Sequence, residues 1–89
     1  MNLNIGWQLK IRNRVLKDTA RFPKKDQSKI LLAFQKISLS PYSGDIRKIQ
    51  KEKDVWRRRI GAYRIFYEIF TAGKFIIIFR VERRTSKTY

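Results

Sequence analysis

Cysteine and histidine are both absent from this sequence. The first absence excludes disulfides and thiolate metal sites. The second removes the usual imidazole acid–base and the usual zinc ligand together. Acidic residues are scarce: 7 Asp and Glu are scattered along the chain, and only Glu68 and Glu82 fall in strand-like segments. That pattern gives no magnesium site, so no metal and no small-molecule cofactor is expected. Long apolar runs are missing too, the strand-sized Phe75 to Phe79 being as long as any. No segment approaches a membrane span, and the opening MNLNIGWQLKIRNR has no apolar core of signal-peptide length. The expectation is a soluble cytoplasmic protein with no membrane partner.

What is abundant is positive charge. Against the 7 acids stand 22 Lys and Arg, a formal +15, in a chain that is still 43% hydrophobic and 13% aromatic. The composition is that of a folding sequence, and 89 residues suffice for one modest core, hence a single domain over 1–89. An excess of that size repels itself in a compact state and points to a polyanionic partner: nucleic acid, an anionic surface or an acidic protein.

Along the chain, Trp7–Ile11 alternates as a short strand. Asn13 is placed to cap a helix whose face is Val15, Leu16, Thr19, Ala20 and Phe22, ending at Pro23. A second helix is expected from Lys25 or Asp26 to about Ser38, with Ile30, Phe34 and Ile37 as its stripe and Leu31 and Ala33 widening it. Ser40–Gly44 is loop chemistry, and Asp45–Asp54 is a charged stretch anchored only by Ile46 and Ile49. Three strand runs follow, Val55–Ile60, Tyr63–Phe70 and Lys74–Val81, with turns at Gly61–Ala62 and Thr71–Gly73. The fold class is α+β: an N-terminal strand and a two-helix hairpin packed on a small antiparallel meander, leaving one sheet face open.

The strand run WRRRIGAYRIFY, residues 56–67, carries an unusual load of charge. Side chains alternate across a strand, so Tyr63, Ile65, Tyr67 and Ile69 should meet the helices while Arg64, Phe66, Glu68 and Phe70 face the open side. Arg57 and Arg59 can converge there with Arg64, whereas Arg58 is expected to snorkel at a sheet edge. A lone strand arginine usually marks a solvated face or a guarded edge. A group of them on one face of a +15 chain favours phosphate binding. Lys48, Lys51 and Lys53 before these strands, Arg58 within them, and Arg84 and Lys87 after them would extend the basic surface to RNA, and the tail adds Arg83 and the aromatic hydroxyl of Tyr89.

The segment Trp56-Arg57-x-Arg59-Ile60-Gly61-x-Tyr63-Arg64-Ile65-x-Tyr67, together with the tail Arg83-x-Thr85-x-x-x-Tyr89, resembles the RelE/ParE toxin superfamily. The helical half, with Phe22-Pro23 between helices and the Pro41 to Gly44 loop, is similar in pattern. The resemblance implies the toxin of a type II toxin–antitoxin system. In the RelE branch that means a ribosome-dependent endoribonuclease cutting mRNA in the ribosomal A site. Its catalytic positions fall here on Arg57 and Arg59, then Arg64, then Arg83 and Tyr89, with Lys51 and Lys53 as rivals for the first pair. Arg64 and Arg83 would clamp phosphate, and Tyr89 would act as general base. The resemblance also implies an acidic antitoxin as partner, beside the ribosome and mRNA. Two other classes stay open: a ParE-like gyrase poison, and a non-catalytic RNA- or ribosome-binding module using base-stacking aromatics such as Phe66 and Phe70.

Overall fold

The computed structural model describes residues 6–49, 51 and 53–84. The chain runs β1 (Gln8–Ile11), α1 (Asn13–Ala20), α2 (Lys24–Leu39), β2 (Ile46–Lys48), β3 (Val55–Ile60), β4 (Tyr63–Phe70) and β5 (Phe75–Arg83). These strands make one sheet in the order β1-β5-β4-β3-β2. β2 to β5 pair antiparallel, while β1 joins the far edge parallel to β5, Leu9 opposite Ile76. The expected α+β architecture is therefore present, with two additions. The sheet is mixed, and the charged stretch after Gly44 contributes a fourth antiparallel strand, β2. Three residues with one half-buried isoleucine gave no periodicity by which to see it.

Both helices cover the same sheet face. Val15, Ile30, Ala33, Phe34 and Ile37 pack on Tyr63, Ile65, Tyr67, Ile69, Ile76, Ile78 and Val81, all of them buried. Each helical residue turns the chain by about 100°, which decides the neighbours. Leu16 and Leu31 lie one step off the buried stripe and are half exposed, so they belong to the surface and not to the expected core faces. Asn13 is likewise the first residue of α1, while Arg12 occupies the cap position without a side-chain hydrogen bond.

The register slips once, at a bulge: Phe66 is opposite Arg80, but the next residue, Tyr67, is opposite Ile78. A bulge inserts one extra residue and exchanges the faces beyond it. Ile76 and Ile78 face the helices before it; Val81 and Arg83 do so after it.

Candidate functional site

The sheet face without helices is built from alternate positions of β2 to β5. Arg57 is opposite Phe66 and Arg47, and Arg59 is opposite Arg64, so all four arginines share this face. Arg80 joins them from β5, its guanidinium 5.3 Å from the centre of the Phe66 ring. Arg47 and Arg80 were not foreseen, because the first depends on β2 and the second on the bulge.

Among the described residues, carboxylates answer only part of this charge. Glu82 accepts from Arg80 Nη2 at 2.7 Å and lies 3.6 Å from Arg64 Nη1. Asp45 sits 4.0 Å from Arg59 Nε in a pair mostly open to water, which binds weakly. Arg57 has its pKa pushed below the usual guanidinium value by desolvation first, then by Arg64, Arg47 and Arg59, with Asp45 opposing. The guanidinium stays charged at neutral pH; burial is the larger cause of the shift, and the like charges of Arg64, Arg47 and Arg59 add to it. Arg64 adds a buried Nε with no hydrogen-bond partner among the described residues. The open face thus gathers several cations and one unused donor, the kind of arrangement that can take an anion.

The remaining basic residues are dispersed. Arg58 is not at an edge, since β3 lies between β4 and β2. It shares the helix side with Ile65 and donates from Nη1 to the Ser43 carbonyl at 2.8 Å, tying down the loop after α2. The edge position expected for it is thus corrected: Arg58 lies inside the sheet and holds a loop. Lys48 is opposite Trp56, on that same side, with Nζ 5.9 Å from the ring. Arg83 follows the bulge to the helix side as well: it is opposite Tyr63, its guanidinium 5.8 Å from the ring centre, so it does not meet Arg64. Lys51, Lys53 and Arg84 are exposed. Lys87 and Tyr89 lie outside the described residues.

Tyr63 and Tyr67 are core residues, as their parity indicated. Tyr67 donates to the Pro41 carbonyl at 2.7 Å, and burial pushes its pKa up to about 12. Tyr63 donates to Asp26 Oδ2 at 2.6 Å; burial and that bond raise its pKa. Neither hydroxyl serves the arginine face. Among the described residues no three carboxylates come together as a cation site.

Residues 9–87 match the family described as the ParE toxin of the type II toxin–antitoxin system parDE. The chain belongs to the RelE/ParE toxin superfamily. A Methanocaldococcus jannaschii protein, provisionally named toxin RelE1, is 28% identical over 81 residues, covering 88% of this chain and 90% of the relative. The archaeal RelE of the RelE–RelB complex from Pyrococcus horikoshii OT3 superposes with a TM-score of 0.80 at 24% identity, over 93% of this chain and 100% of that one. A chain of the RelB–RelE antitoxin–toxin complex from Methanococcus jannaschii gives 0.68 at 28% identity, over 83% and 88%. The superfamily thus accounts for the α+β order of elements and for the open sheet face on which the arginines stand.

Proposed function

We propose that this toxin is a ribosome-dependent endoribonuclease that cleaves mRNA in the A site and so stops translation. The observation that carries the reading is the convergence of Arg47, Arg57, Arg59 and Arg64 on the uncovered sheet face. RNA holds its own nucleophile. When the 2′-oxygen is aligned with the adjacent phosphorus and loses its proton, it displaces the 5′-oxygen, leaving a 2′,3′-cyclic phosphate and a 5′-hydroxyl. In this reading Arg57 and Arg64 hold the non-bridging oxygens, where guanidinium forks bind two at a time. Arg59 neutralises the leaving 5′-oxygen, which takes its proton from water. Tyr89 acts in this reading as the general base that removes the 2′ proton. Engagement of Arg83 requires its guanidinium to leave the Tyr63 ring. Such a site supplies charge and little alignment, so a ribosome that poses the message supplies the rest.

The partner in this reading is an antitoxin, as RelB is in the RelB–RelE antitoxin–toxin complex of Methanococcus jannaschii, and here it would be acidic. A +15 surface favours it, and Leu31, Leu32 and Leu39 offer exposed apolar area on α2, away from the arginines. The ParE description of the matching family keeps a second reading in view, poisoning of gyrase. Primer extension on mRNA in a reconstituted translation reaction separates them. Discrete A-site cuts that need ribosomes support the nuclease. An intact message, with gyrase-dependent DNA cleavage in a supercoiling assay, supports the poison.

A further inference from the structure

Next to the arginines the open face turns apolar. Ile49, Phe66, Ile77 and Phe79 wall a cleft of about 630 Å³, with Arg12 and Glu68 as its polar lining. The cleft adjoins the anion site directly, because Phe66 is the cross-strand partner of Arg57. Cross-strand partners stand about 5 Å apart, a spacing one nucleotide can bridge from its phosphate to its base. The Phe66 and Phe79 rings are 6.3 Å apart and tilted by 43°, so they do not stack on each other. Glu68 makes no salt bridge or side-chain hydrogen bond among the described residues, although its neighbours on this face include Val55 and Ile77.

From this juxtaposition we infer that the cleft is a base-binding subsite of the nuclease site, and that Glu68 and Arg12 read a guanine in it. The inference rests on the RNA-cleaving reading given above. A polyanionic strand held by its phosphate on Arg57 places an adjacent base over Phe66 and Phe79, and aromatic faces take any base by stacking. The polar pair then selects. A carboxylate has two acceptor oxygens, and guanine alone among the four bases offers two adjacent donors, N1–H and N2–H, on one edge. Its O6 and N7 accept from a guanidinium. Adenine and cytosine offer the carboxylate a single amino group, and uracil a single ring N–H.

The test is fluorescence anisotropy of the full chain with short single-stranded RNAs, 2′-O-methylated to prevent cleavage and differing only in one central base. Guanine is expected to bind about tenfold more tightly than the other three bases. Glu68→Gln, which keeps size and fold, should bring guanine down to their level, and Phe79→Leu should weaken all four alike. Binding that is lost in Arg57→Ala but is equal for all bases, or a guanine preference that survives in Glu68→Gln, overturns the subsite and leaves the phosphate site standing. No RNA binding by the unaltered chain overturns the subsite, while the ribosome-dependent nuclease reading stands or falls on the primer-extension assay. If the cleft variants weaken only an acidic, apolar antitoxin peptide, the cleft belongs to that partner and the inference fails.

Discussion

The Tyr67 hydroxyl lies in the core and gives its proton to the Pro41 carbonyl, so one side chain both fills the sheet–helix layer and fixes the loop after α2. An unfolded tyrosine titrates near 10, while in the folded chain burial raises Tyr67 to about 12, with Arg58 opposing. The folded state therefore keeps a proton that the unfolded state loses. Stability is unaffected by this group below about pH 10 and falls as pH rises from about 10 to about 12. At about 1.4 kcal/mol per unit, the loss reaches at most about 3 kcal/mol. Tyr67→Phe should cost about 1–2 kcal/mol at neutral pH, because the carbonyl is left without its donor. It should also flatten the decline between pH 10 and 12 relative to the unaltered chain, as read by denaturant midpoints across that range. The buried role of this residue was legible from parity alone; its partner was not, since Pro41 lies across the fold.

At the scale of elements, β3, β4 and their turn could be read directly, because aromatic and β-branched residues alternate and Gly61 supplies the positive φ of 59° that the turn requires. β2 could not, because its pairing comes from β3 and not from its own pattern. The bulge in β5 is likewise a property of two strands, and it alone decides that Arg80 faces the arginine cluster while Arg83 faces Tyr63. The loop before β2 has a similar dependence. Gly44 has φ of 93°, and a Cβ there would lie 2.5 Å from Arg58 Nη1, whereas a Cβ on Gly61 would meet nothing within 4 Å. Gly61→Ala should cost about 1–2 kcal/mol from backbone strain alone. Gly44→Ala should cost more, since it also displaces the guanidinium that holds Ser43. Equal losses in urea unfolding would mean that Arg58 moves aside freely.

For the whole molecule, the +15 charge announces a polyanion but does not say where it binds; only the strand register gathers Arg47, Arg57, Arg59 and Arg64 on one face. Each phosphate neutralised on a single strand contributes about −0.7 to the slope of log affinity against log salt. Four arginine contacts therefore predict a slope of about −3 for RNA binding. Arg47→Ala should bring it closer to zero by about 0.7, as read by anisotropy titrations at several salt concentrations. An unchanged slope would remove Arg47 from the interface.

If the arginine face of the sheet does the chemistry, single-turnover cleavage of mRNA on programmed ribosomes separates it from the rest of the surface, through variants that remove the same charge from different faces. Arg57→Ala and Arg64→Ala should each lower the rate by about 100-fold or more, the scale on which a positioned transition-state donor acts. Lys48→Ala on the helix side and Lys17→Ala on α1 should stay within a few-fold of the unaltered chain. Equal losses in all four variants would mean that bulk charge is responsible and that no one face of the sheet carries the reaction.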